Sequence, residues 1–189
     1  TPIEDAALFS ARAVSLEPSN QRVRVIRAYV DFLNGDLDAS EAEITKALEL
    51  NPNSLLLLES IGYLMTLLGD WKQGPALIRK AIKLNPYYYH FSSNHALWVD
   101  WIRQGDYEQA YRETMNFKKP TLFWEPLMKA ASCGLLGNIA RGKRFADDLF
   151  RLKPEFRKRG RTLIRHYIKF DDIYDRIIKG LNDVGVQAE

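Results

Sequence analysis

Prolines recur every 34 residues along this chain, at Pro18, Pro52, Pro86, Pro120 and Pro154. A fixed period of this length constrains the fold more than any single residue does. It marks a helix–turn–helix unit that cannot bury its apolar face alone and so stacks on copies of itself. Glycines keep step at Gly35, Gly69, Gly105 and Gly137, each 15 to 17 residues before a proline, where the turn between paired helices belongs. The expected fold class is therefore all-α, a right-handed solenoid of helix pairs closed by a C-terminal capping helix.

The clearest half-unit is GDWKQGPALIRKAIKLNP, from Gly69 to Pro86. Gly69 permits the turn, and Asp70 accepts hydrogen bonds at the next helix start. Ile78, Ala81, Ile82 and Leu84 then recur at helical spacing until Asn85-Pro86 stops the helix. The preceding stretch, LLLLESIGYLMTLL, gives a first helix with Leu58, Ile61, Gly62 and Met65. A glycine inside a helix costs about 1 kcal/mol relative to alanine, and close approach of the paired helix is the reason to accept that cost.

These residues occupy the large, Leu, Gly and Tyr positions of the tetratricopeptide repeat, and the chain resembles that family. The period divides a single domain into 1–20, a second helix only, the repeats 21–54, 55–88, 89–122 and 123–156, and a C-terminal cap over 157–189. In the repeat at 21–54, Arg24, Arg27 and Asp31 stand where large apolar residues are expected. Val23, Ile26, Val30 and Leu33 predict a helix rotated or slipped by one residue. In the repeat at 89–122, Gly105 arrives two residues late, which predicts a longer first helix carrying Leu97, Trp98 and Trp101 and a shortened second one around Tyr107, Ala110 and Tyr111. After Pro154 two more helices are expected, at roughly 155–168 and 171–183, the second capped by Asp171-Asp172 and presenting Ile173, Ile177, Ile178 and Leu181.

The stretches NPYYYHFSSNHALWVDWIRQGDYEQAYRE, FWEPLMKAASCGLLG and FDDIYDRIIKGLNDVGV resemble the C-terminal repeat region of bacterial multidomain signalling proteins. In that group such arrays follow class III adenylate cyclase or winged-helix regulator domains. The resemblance implies a cytoplasmic, C-terminal piece of a longer protein whose catalytic or DNA-binding part lies upstream. The array begins with an unpaired second helix, so Ala6, Leu8, Phe9 and Val14 are expected to leave apolar surface; a homodimer is expected through that end, which an upstream unit of the longer protein would otherwise cover, or through the Tyr87–Phe91 aromatics.

Composition narrows the chemistry. Residues 1–85 carry 9 basic and 11 acidic side chains and the remainder 18 and 13, a mild C-terminal excess of positive charge. No uninterrupted apolar stretch is long enough to span a bilayer, so no membrane partner is expected. His90 and His95 lie five apart, off the i,i+4 face of a helical metal site, and no phosphate loop or catalytic motif occurs. The single cysteine, Cys133, falls at a large apolar position and reads as a buried thiol. No enzyme, cofactor or metal is expected.

The expectation is a non-catalytic interaction module for a protein or peptide. On the family's pattern, first helices line a concave face, which here would present Arg22, Val25, Tyr29, Glu59, Tyr63, Thr66, Ser92, His95, Val99, Arg103, Trp124 and Leu127. This mixture suits an extended peptide or a helix. Tyr87, Tyr88, Tyr89 and Phe91 form an aromatic run that reads equally as a recognition patch or as filling for an irregular repeat, whereas Trp98 and Trp101 read as core. An alternative function rests on Arg157, Lys158, Arg159, Arg161, Arg165 and Lys169, a basic strip that could help an attached regulator hold nucleic acid. The favoured reading is a solvated face opposite Phe156, Leu163, Ile164 and Tyr167, which makes nucleic acid a disfavoured partner.

Overall fold

The computed structural model describes residues 1–54, 57–86 and 91–187. Its elements are α1 (Pro2–Leu16), α2 (Gln21–Asn34), α3 (Leu37–Leu50), α4 (Leu58–Leu68), α5 (Gln73–Leu84), α6 (Phe91–Gln104), α7 (Tyr107–Asn116), α8 (Trp124–Leu135), α9 (Ile139–Leu152), α10 (Phe156–Arg165) and α11 (Asp171–Asp183). No strand occurs among the described residues. The chain divides into two units, Thr1–Ser93 and Asn94–Glu189. The expected aromatic patch of Tyr87, Tyr88, Tyr89 and the Phe91 side chain lies outside the described residues, as does His90.

The turn between paired helices is written by a Gly-Asp dipeptide. Gly35, Gly69 and Gly105 adopt left-handed backbone, with φ of 86°, 99° and 77°. Each following aspartate accepts a hydrogen bond from the start of the next helix: the N-caps Asp36 and Asp106 from the Ala39 and Gln109 N–H at 3.1 and 3.0 Å, and Asp70, two residues before the N-cap Lys72, from Gln73 at 2.8 Å. One residue thus ends a helix without a Cβ penalty, and its neighbour satisfies an orphan donor of the next.

In the first unit α2 pairs with α3 and α4 with α5, α1 packs on α2, and α4 lies against α2 and α3. The expected close approach at Gly62 is present: a Cβ there would lie 2.9 Å from the Gly74 carbonyl oxygen and 3.0 Å from Ile78. The expected one-residue slip of α2 is not. Val25, Ala28, Val30 and Phe32 are buried, whereas Ile26 is 52% exposed. Charge pairing makes the slip unnecessary. Arg24 reaches Glu43 on α3 at 2.8 Å, and Arg27 pairs with the nearly buried Asp31 at 2.7 Å while donating to the Ala7 carbonyl of α1 at 2.8 Å. Burial raises the Asp31 pKa against the pull of Arg27. At Glu43 burial acts the same way, but hydrogen bonds from Arg24 and Lys46 outweigh it and hold the carboxyl low.

In the second unit the first helix is long and the second short, as expected: α6 has 14 residues and α7 has 10. The Trp98 indole is fully buried and donates to Ser132 Oγ on α8 at 2.9 Å. Beyond the repeats, α11 packs against α8 and buries Ile173, Tyr174, Ile177, Ile178 and Leu181. Two glycines set that crossing, since a Cβ on Gly134 would lie 1.8 Å from the Gly180 carbonyl oxygen. The expected Asp171-Asp172 cap is corrected: Phe170 is the N-cap and makes no side-chain cap bond. The two aspartates occupy the first turn instead, where the helix dipole favours negative charge, and Asp171 pairs with Arg165 at 2.7 Å. On α10, Phe156 and Ile164 are buried while Arg157, Lys158, Arg159 and Arg161 face solvent. Cys133 is buried, and burial raises its thiol pKa.

Candidate functional site

The first helices of the N-terminal unit, α2 and α4, lie side by side. Between them and the start of α6 opens a cavity of about 250 Å³ lined by Val25, Ile26, Tyr29, Val30, Ser60, Tyr63 and Ser92. Four of these, Val25, Tyr29, Tyr63 and Ser92, belong to the concave-face set expected from the sequence. Tyr29 and Tyr63 form its aromatic wall, their rings stacked with centroids 6.2 Å apart and planes 22° apart. Glu59 fixes the mouth by accepting a hydrogen bond from the Ser93 backbone N–H at 3.2 Å, which ties α4 to the first turn of α6. Arg22 is exposed one turn ahead of Val25 and Ile26 on the same helix.

Ile26, Val30 and Ser60 are the lining residues that sequence reasoning did not assign to the site. Ile26 and Val30 carried a signal. They stand at i+4 and i+8 from Arg22, and with Val25 and Tyr29 they form one helical stripe. Reading Ile26 and Val30 as the apolar face of a slipped helix, apart from Val25 and Tyr29, hid them. The cavity is predominantly apolar, with two serines at its edge and a tyrosine stack on one side. Such a surface can seat a large apolar side chain and offer hydrogen bonds to the backbone beside it.

The remaining expected positions are placed elsewhere. Thr66 is fully buried and donates its hydroxyl to the Gly62 carbonyl at 2.8 Å. It faces the paired helix α5, because a Cβ on Gly74 would lie 2.5 Å from Thr66. In the C-terminal unit, His95, Val99, Trp124 and Leu127 are all buried. These four are core residues, which corrects the expectation that they face a ligand. The chain's own C-terminal segment accounts for much of this. Tyr167 sets its ring edge-on to Trp124 at 5.6 Å and to His95 at 6.1 Å, while His95 meets Trp124 at 4.4 Å. From α11, Arg176 donates to the Ile102 and Arg103 carbonyls at 3.1 and 2.9 Å and closes the end of α6. The Arg103 side chain turns back to Asp100 on its own helix, at 2.9 Å.

Burial pushes the His95 pKa down to about 3, so its imidazole is neutral at neutral pH. Among the described residues no three His, Cys, Asp or Glu side chains gather where they could hold a metal ion. Among them, too, no helix is long and apolar enough to cross a membrane.

A solved structure with the same architecture is that of YrrB, described as a TPR protein with an unusual peptide-binding site. It aligns with a TM-score of 0.55 and 15% identity over 82% of this chain and 79% of its own. The fold is that of the tetratricopeptide repeat. No protein-family model matches the chain, and no curated protein matches it.

Proposed function

We propose that this chain is a non-catalytic interaction module that binds a peptide segment of a partner protein in the α2–α4 cleft. The observation that carries this is the cleft itself: an open, mainly apolar cavity between adjacent first helices, walled by the Tyr29–Tyr63 stack. An apolar anchor residue of the segment seats beside Ile26, and Ser60, Ser92 and the exposed Arg22 serve its polar neighbours. The peptide-binding site described for YrrB, at low identity, supports a peptide as the ligand class. The resemblance of the last hundred residues to repeat regions of bacterial signalling proteins supports a role as the scaffolding arm of such a protein.

Peptides selected from a random library on the immobilised chain, then titrated by fluorescence anisotropy, test the cleft. An Ile26→Asp substitution puts an uncompensated charge into an apolar anchor site and is expected to weaken binding at least about tenfold. Unchanged affinity in that variant would sink the assignment. The second reading, nucleic acid on the exposed basic face of α10, is tested in parallel with duplex DNA. A steep inverse salt dependence, abolished by neutralising Arg157, Lys158, Arg159 and Arg161, would replace the peptide reading.

A further inference from the structure

Helix α1 turns one face to α2. Ser10 is buried there, Ala6, Ala13 and Val14 are half-buried, and Arg27 binds the Ala7 carbonyl. Its other face is uncovered within the chain and unusually apolar, with Leu8 67%, Phe9 65% and Leu16 71% exposed. Ala6 and Val14, expected to share that exposure, are turned partly inward. At about 100° per residue, Leu8, Arg12, Asp5, Leu16 and Phe9 follow one another around a stripe about 100° wide. Two opposite charges therefore sit between apolar edges. Neither Asp5 nor Arg12 has an ion-pair partner among the described residues.

The order of these residues is self-complementary. Set two α1 helices antiparallel about a two-fold axis between Leu8 and Phe9. Leu8 of one copy then meets Leu8 of the other along one edge of the pair, and Phe9 meets Phe9 along the opposite edge. Three residues further out on each side, Asp5 of one copy meets Arg12 of the other, so the charged contact is made twice. We propose that this face is a homodimer interface, an antiparallel α1–α1 pair with isologous Asp5–Arg12 ion pairs flanking a core of Leu8 and Phe9. A helix of 15 residues is about 22 Å long. One helix pair of that length buries an area at the low end for specific interfaces, so the dimer is a weak, micromolar one.

Sedimentation equilibrium of the full chain from low to high micromolar concentration reads this out. The expected result is a monomer–dimer equilibrium. Asp5→Arg or Arg12→Asp alone sets like charges face to face and weakens the dimer at least about tenfold, because like-charge juxtaposition costs several kcal/mol. The double exchange Asp5→Arg with Arg12→Asp restores it, and Phe9→Ser abolishes it. All three substituted side chains are exposed, and an unchanged helical circular-dichroism spectrum confirms that each variant is folded. Three results overturn the proposal: a monomeric mass at the highest concentration, a double exchange that associates no better than the single ones, or a mass that climbs past the dimer, which signals head-to-tail stacking.

Discussion

Asp31 is nearly buried on α2, and its compensation comes from Arg27 one turn earlier in the same helix. Removing one partner of such a pair leaves an uncompensated buried charge, which costs far more than the intact pair contributes. Arg27→Ala is expected to lower stability in urea unfolding by about 3 kcal/mol, and adding Asp31→Asn should recover most of that loss. His95 gives the opposite lesson. Its folded pKa of about 3 lies below the ordinary value of 6.5. Between those values the unfolded chain takes up a proton that the native ring refuses. His95 therefore subtracts stability as pH falls below 6.5 and has no effect above it. The penalty grows by about 1.4 kcal/mol per pH unit. The stability gap between the native sequence and His95→Gln should shrink by about 2 kcal/mol between pH 7 and pH 5; a constant gap would show that the ring protonates freely. Both residues were only half legible. A charge at an apolar repeat position reads as a slipped helix until its partner is seen beside it, here Arg27 one turn earlier, and a histidine on a concave-face position reads as exposed until Tyr167 is seen beside it.

Helices themselves were easy to read, because their ends are local chemistry. The Gly-Asp turns and the Asn-Pro stops need only neighbouring residues, and α10 and α11 fall within the stretches expected for them. What a helix packs against is not local. Nothing in the repeat pattern announces that α11 crosses α8, since Gly134 and Gly180 are far apart in sequence and each resembles an ordinary helical glycine. That crossing helps explain why the expected concave-face residues of α6 and α8, His95, Val99, Trp124 and Leu127, are buried. A Cβ on Gly134 would sit 1.8 Å from the Gly180 backbone, a clash that no rotamer change relieves. Gly134→Ala is expected to destabilise the C-terminal unit by 3 kcal/mol or more, roughly the upper range for overpacking. At Gly137 no atom lies within 4 Å of an added Cβ, and only the backbone φ of +72° opposes it. Gly137→Ala should therefore cost only about 1–2 kcal/mol. Equal losses in thermal unfolding of the two variants would contradict the close crossing.

At the scale of the whole molecule, the candidate cleft and the proposed dimer face belong to residues 1–93, and the self-covered first helices to residues 94–189. The sequence period could not show this division, because it repeats at the same length through both. Cys133 turns the division into something measurable. It is the only thiol in the chain, it lies in the C-terminal unit, and it is buried with a raised pKa. A thiol reagent added to the native protein can modify it only when that unit opens, so the labelling rate measures the population of open molecules when closing outpaces labelling. Gly134→Ala should accelerate labelling steeply, and Ile26→Asp, in the other unit, should leave it unchanged. A native thiol that reacts as fast as a free cysteine would refute the burial of α8. The chain thus carries, at one sulfur atom, a clock for the opening of one of its two units that stays silent to the other.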